Sequence, residues 1–199
     1  MKYLKMLGLA AVSAMAFMAF ASTASATTLE ETGVTQHDSV TITASLTPET
    51  TAVLKNTSGS VQNTCTASHV HGVTTTFTGT HIQGEGTEHG GPNPEAGLSF
   101  SGCTRLVTVH DPGTLTVEWT SGTNGTVWSK DATVTVRVPL IGYVHCTTVE
   151  KTHLGELTGV ASGHATLHVD AVIDCGAIPS AKWEATYTVT SPHGLGVSS

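Results

Sequence analysis

Fixed positive charge is scarce in this chain. Its 199 residues carry eight lysines and arginines against fifteen carboxylates, for a formal net charge of −7. Beyond the first few residues the cations are Lys55, Arg105, Lys130, Arg137, Lys151 and Lys182, scattered rather than gathered. Without a basic stripe there is no counterion release to hold a nucleic acid, and an anionic surface is repelled by the same imbalance. Nucleic acid is therefore excluded as a partner. Residues at helical spacing are few, since hardly any stretch of Leu, Glu, Lys or Ala repeats every three or four positions, and this argues against a helical fold. Catalytic signatures are missing as well. The chain has no Gly-x-Ser-x-Gly elbow, no His-Glu-x-x-His, no phosphate loop and no dinucleotide fingerprint. It holds no Cys-x-x-Cys with which to begin a structural zinc site. Glu118 and Glu184 face the polar side of their strands and make no nameable acid–base pair. The sequence reads as a non-enzyme that needs no cofactor.

What is present begins with a leader. Lys2 and Lys5 precede an apolar run from Met6 to Ala21, and Ala24-Ser25-Ala26 is a small-x-small cleavage site, so residues 1–26 are expected to be a secretory signal peptide. No second apolar run follows, so no membrane span is expected after cleavage. Removal of the leader would leave about 173 residues with a charge of about −9, enough for one domain with a real core. Residues 27–38 read as a flexible N-terminal segment and 39–199 as the domain.

That domain is written in a strand vocabulary of Thr, Val, Ser and Gly. Apolar residues alternate with polar ones at Val40, Ile42, Ala44 and Leu46, at Leu115, Val117 and Trp119, and at Val134, Val136 and Val138. The alternation recurs from Ala165 to Ile173 and from Trp183 to Val189. A period of two is what a strand needs when one face meets a core and the other meets water. Asp111-Pro112-Gly113 and Ser121 to Gly125 read as hairpin turns. The expected fold is all-β, a single antiparallel β-sandwich, with a closed β-barrel as the alternative. Residues 83–96, QGEGTEHGGPNPEA, read as a long exposed loop.

Cys65, Cys103, Cys146 and Cys175 are an even set in an exported chain, so two disulfides are expected. Order alone leaves three pairings open; the sequential one, Cys65 with Cys103 and Cys146 with Cys175, keeps each loop within one half of the domain. Eleven histidines invite a metal. His69 and His71, two apart on a strand, are the candidate metal pair, with Cys65 on the same parity and His81 or His89 as a third ligand. His164, His168, Asp170 and Asp174 make a second polar cluster. Against both stands the plainer role of histidine as a polar, uncharged surface residue. Trp119 and Trp183 share parity with core aliphatics, whereas Trp128 falls on the polar side of its strand and is the candidate ligand-binding residue.

Several blocks, namely MKYLKMLGLAAVSAMAFMAF, SFSGCT around Cys103, GTLTVEWTSGTNGTV from Gly113 and SAKWEATYTVTSP from Ser180, resemble a family of Thr/Gly-rich secreted proteins of soil actinobacteria. The resemblance implies export and an all-β domain but no activity, and no site residue comes with it. The reading is of a disulfide-linked protein, secreted or held at the cell surface, that is structural or binding and non-catalytic. Its candidate partners are cell-wall or extracellular glycans or proteins. The competing classes are a weak zinc- or copper-binding extracellular protein and a secreted hydrolase.

Overall fold

A computed structural model describes residues 26–86 and 97–199. Most of the expected signal peptide and the stretch 87–96 lie outside the described residues. Within them the chain is all strand, with no helix. In chain order the strands are β1 (Thr27–Glu31), β2 (Val34–Thr35), β3 (Thr41–Leu46), β4 (Ala52–Lys55), β5 (Val61–Thr74), β6 (Thr78–Gly79), β7 (Ile82–Gly86) and β8 (Leu98–Cys103). They continue as β9 (Val107–Asp111), β10 (Thr114–Ser121), β11 (Asn124–Lys130), β12 (Thr133–Val138), β13 (Gly142–Thr147), β14 (Thr152–Thr158), β15 (Thr166–Cys175), β16 (Ile178–Ser191) and β17 (Leu195–Ser198).

Neighbour-to-neighbour pairing runs β5, β7, β10, β11, β14, β15, β16, β3 and back to β5, an eight-stranded antiparallel ring with no free edge. The fold is thus the closed barrel rather than the two-sheet sandwich. Alternation by itself cannot separate the two, because each asks for one apolar and one polar face. The face turned inward is the apolar one: Val127, Leu157, Leu167, Val169, Tyr187 and Val189 are buried, while Glu156 beside Leu157 on β14, and His168 and Asp170 on β15, are exposed. That polarity is the reverse of a barrel bathed in lipid.

Three strands are longer than one barrel needs. The far halves of β5, β15 and β16 project beyond the ring and build a second lobe with β4, β8, β9, β12 and β13. There β4 lies between β5 and β16, β8 pairs with β5, and β9, β12 and β13 follow one another to β15. This lobe is less complete. β13 meets β15 at a single residue pair, Thr147 with Asp174, and no ladder joins β8 to β9 among the described residues. Each lobe has its own core. Tyr187, Val169 and Leu154 belong to the first, and Val136, Val138, Val144 and Ile178 to the second, with Trp183, Ile173 and Val107 touching both.

Both disulfides are sequential, Cys65 to Cys103, which packs against the first core, and Cys146 to Cys175, which belongs to the second. One ties β5 to β8 and the other ties β13 to β15 beside their single ladder pair.

Three expectations change at this level. Residues 27–38 are not a loose segment, because β1 pairs with β17 from Thr28–Ser198 to Glu31–Leu195 and Leu29 is buried in the barrel core. With β2 and β6 these strands form a small sheet over the outer end of the first lobe, where the Trp119 backbone N–H donates to Thr27 Oγ1 at 3.0 Å. Residues 83–86 of the expected loop belong to β7, which pairs with both β5 and β10. The turn at Asp111-Pro112-Gly113 is not a hairpin; β9 pairs with β12 and β10 with β7 and β11, so this turn carries the chain from the second lobe back to the first. Asp111 is suited to it, accepting the Gly113 N–H at 2.7 Å. The second expected hairpin is present, with Ser121 opposite Asn124.

Candidate functional site

A ring of eight strands has a diameter fixed by its geometry, so whether its interior is full depends on the size of the inward side chains. Here the wall formed by β3 and β4 presents Ala44 and Ala52, and the space they leave is not filled from the opposite side. The result is a cavity of about 220 Å³ lying where the two lobes meet. Ile42, Val70, Leu115, Val117, Phe100 and Trp183 line it. Phe100 meets Trp183 edge-on at 5.9 Å, and Trp183 meets Tyr187 edge-on at 6.5 Å, so the aromatic side of the wall is braced. The rim is made of Gly84, Gly86, Gly97, Pro112 and Gly113, at the point where β5 exchanges β8 for β7 as its neighbour.

The polar groups inside the barrel are already engaged. The Tyr187 hydroxyl is 2.9 Å from Ser68 Oγ, both fully buried, and burial pushes the phenol well above its ordinary range while the serine contact opposes the shift. Asn63 accepts from Thr104 Oγ1 at 2.9 Å and donates to the Arg105 carbonyl at 3.1 Å. Ser129 and Thr148 bond each other at 3.1 Å. Among the described residues no buried side-chain nitrogen or oxygen lacks a partner. A guest in this cavity therefore finds apolar contact and shape, but no waiting donor or acceptor.

The residues singled out from sequence lie elsewhere. His69 is on the outside of the barrel, its Nδ1 2.9 Å from Ser45 Oγ, whereas Cys65 points inward into its disulfide. Their shared parity fails because Cys65 and Ser68, three apart, both face the core, so β5 steps by one residue opposite the bulged connection 47–51. His71 is on β5 two residues on, and among the described residues no three His, Cys, Asp or Glu side chains converge to hold a metal. The second cluster is likewise dispersed. Asp170 pairs with Lys182, Asp174 accepts the Gly176 N–H, and His168 lies 3.3 Å from Thr186 Oγ1. His164 donates from Nδ1 to the Val189 carbonyl at 2.7 Å and has His193 as its ring neighbour at 4.3 Å.

Trp128 does face outward, half-buried on β11. Its indole N–H donates to Glu118 Oε2 at 3.1 Å, Lys151 Nζ sits 5.6 Å from the ring centre, and His153 meets it edge-on at 5.2 Å. The local fold arranges this cluster. β14 slips against β11 between Val127–Gly155 and Trp128–His153, and Gly155 permits the slip because any side chain there would strike the His168 carbonyl of β15. Trp128 is thus packed on several sides and offers no bare aromatic face. Trp119, expected in the core, is only partly buried, its indole N–H donating to the Gly122 carbonyl at 2.9 Å. Glu184 is held ionised below the usual glutamate range, chiefly by its hydrogen bond from Lys55 and against the pull of burial. Glu118 is bound to Lys151 at 2.9 Å.

The cavity itself was missed in the sequence. Its only trace there is the alanine at inward positions 44 and 52 between larger aliphatics. No family model matches the chain, and no curated protein and no solved structure is significantly similar to it.

Proposed function

We propose that this protein is an exported, non-catalytic carrier that holds one small uncharged apolar molecule inside its barrel. The observation that carries the reading is the cavity of about 220 Å³ walled by Ile42, Val70, Leu115, Val117, Phe100 and Trp183. A cavity of roughly 150 Å³ lined by comparable side chains stays dry and takes benzene, so this one suits a guest of about ten non-hydrogen atoms. Charge is disfavoured in the guest because the lining is overwhelmingly apolar, with the exposed Glu85 and the partly exposed His71 its only residues besides Tyr187 that can ionise, and an unpaired buried ion is expensive. Chemistry on the guest is disfavoured too, since Glu118 and Glu184 lie on the outer surface in ion pairs. Export is supported by the two disulfides, which suit an oxidising compartment, and by the leader-like residues 1–26.

The test is calorimetric titration with indole, naphthalene and short linear alcohols, followed in parallel by tryptophan fluorescence because Trp183 lines the wall. Saturable one-to-one binding of neutral guests is expected, weaker for the ionised acid of the same chain length. Ala44→Leu, which fills the space from the β3 side, should abolish binding while leaving the protein folded. Failure of every neutral guest, or undiminished binding by Ala44→Leu, would sink the proposal, and turnover of an ester, peptide or glycan would replace it with a hydrolase.

A further inference from the structure

The six cations of the described chain divide into two groups. Lys55, Lys130, Lys151 and Lys182 each have a carboxylate partner, but Arg105 and Arg137 have none among the described residues. The two arginines are close together. The Arg137 N–H donates to the carbonyl of Leu106, the residue after Arg105. Both belong to the outer end of the second lobe, where the strands are joined by the turns 56–60, 104–106, 139–141 and 176–177. None of these four turns contains Asp or Glu, on a chain of net charge −7.

Apolar side chains collect at the same end. Val61, Leu106, Leu140, Ile141 and Tyr143 are five of the eight large hydrophobics exposed on the described chain. Leu140 and Ile141 are the crest of the β12–β13 hairpin, and Leu140 is 108% exposed. It is also held at φ 65°, a conformation that Gly or Asn adopts without penalty and a leucine does not. No packing within the chain offsets that strain. Behind the crest, Arg137 is opposite Tyr143 in the ladder, and its N–H donates to the carbonyl of Leu106, the exposed residue just before β9. The row after that is polar, with Thr135 bridging His110 at 2.7 Å and His145 at 2.9 Å.

We infer that this end of the protein docks on a phospholipid bilayer, the Leu140–Ile141 crest entering the acyl boundary and Arg137, Arg105 and Tyr143 meeting the headgroups. The order along the hairpin, aliphatic tip, then aromatic and cation, then neutral polar, is the order of a membrane interface. Arg137 lies three positions before Leu140 and Tyr143 two after Ile141, about 7 to 10 Å of strand, which falls within the depth of an interfacial insertion. The unpaired arginines are free to bond phosphate oxygens, and the absence of acidic turns keeps the chain's negative charge away from them. A convex, fully exposed crest also suits a deformable surface better than a protein, which would need a concavity to receive it. This inference stands on different residues from the cavity, and either can fail alone.

The experiment is flotation of the folded protein with large unilamellar vesicles of phosphatidylcholine. Wild type should float with the vesicles, and the double variant Leu140→Asn with Ile141→Asn should lower the bound fraction by about tenfold or more, two exposed aliphatic anchors being lost. Arg137→Gln should weaken binding by a smaller factor. Val34→Asp, at an exposed apolar position on the opposite end, should change nothing. The double Asn variant should melt no lower than wild type, since asparagine tolerates the φ of Leu140, and should bind indole as wild type does, so lost flotation cannot be blamed on unfolding or on the cavity. Wild type that stays with the soluble fraction, or flotation unaffected by the double variant, overturns the inference. So does a wild-type dimer, detected by sedimentation, that the double variant dissociates without changing flotation; that end would then belong to a second copy of the chain.

Discussion

The two lobes share three strands and yet are held together in different ways. The first is a complete hydrogen-bonded ring, and no disulfide joins two of its eight strands. The second has a missing ladder between β8 and β9 and a one-pair contact between β13 and β15, and each disulfide ties one of its own strands, β8 or β13, to a shared one. The Cys146–Cys175 bond sits where the sheet is thinnest, beside the single β13–β15 pair, while Cys65–Cys103 crosslinks two residues already opposite each other in a ladder. A closed barrel gains its cohesion from the absence of an edge, so each strand is held from both sides; an open one must limit fraying by some other device. The cores differ as well. The first core borders the cavity along most of its wall, whereas the second gathers Val138, Val144 and Ile178 around the Cys146–Cys175 crosslink and reaches the cavity through Val136.

The largest effect should come from removing a crosslink. Replacing Cys146 and Cys175 together by Ala opens a loop with a sequence separation of 29 and should cost about 3 to 4 kcal/mol by the chain-entropy estimate. Hydrogen exchange should then show amides of β12 and β13 losing protection before those of β11 and β14; simultaneous loss would mean that the lobes are one cooperative unit. A smaller effect is expected from Tyr187→Phe, which leaves the buried Ser68 hydroxyl without its partner and should cost about 1 to 3 kcal/mol in denaturant melts. Here exchange should change first in the closed ring, and an effect confined to the second lobe would break the distinction.

The smallest expected effect concerns the belt of charge on the shared strand β16. Glu184 has its folded pKa below its unfolded one, so its contribution is present above the ordinary glutamate range and disappears as pH falls through the lowered value. Lys182 is raised by Asp170 first and Glu184 second, so its contribution is present below the ordinary lysine range and fades as alkaline pH passes the raised value. Glu184→Gln should therefore flatten the acid limb of a stability–pH curve. The change should be a few tenths of a kcal/mol, because the pair is partly exposed and screened. An unchanged acid limb would show that Lys55 gives this carboxylate nothing.

Much of the strand pattern was legible in the sequence, because Leu115–Trp119, Val134–Val138 and Trp183–Val189 alternate cleanly and alternation reports directly on which face meets water. The closure was not. A sandwich and a barrel ask the same of each strand, and the difference lies in whether β3 finds β5, a pairing across 24 or more residues that local pattern does not encode. The N-terminal strand was hidden for another reason: TTLEE looks like a solvated tail, and its order comes from β17 at the other end of the chain. Cys65 and His69 were placed on one face because strict alternation was carried through a bulge that tertiary pairing creates. The cavity depends on what the opposite wall fails to fill, a property of pairs of strands. The apolar crest is written in the sequence as Pro139-Leu140-Ile141-Gly142-Tyr143, a turn lacking the usual polar residues, but a short apolar run of this kind reads equally as a buried strand end until the fold shows it exposed.

The shared strands also govern which changes in chain length the protein can accept over evolutionary time. An insertion of one residue within β5, β15 or β16 would exchange inside for outside along everything beyond it, and would do so in two compartments at once. The register already shifts between Ile173 and Cys175 on β15 and between Val189 and Ser191 on β16, irregularities that the inside–outside pattern of these strands accommodates. Relatives of this chain should keep the lengths of those three strands nearly constant and vary in the turns at the two ends. A relative lengthened at 139–141 would alter only its outermost hairpin, leaving the barrel and its guest untouched.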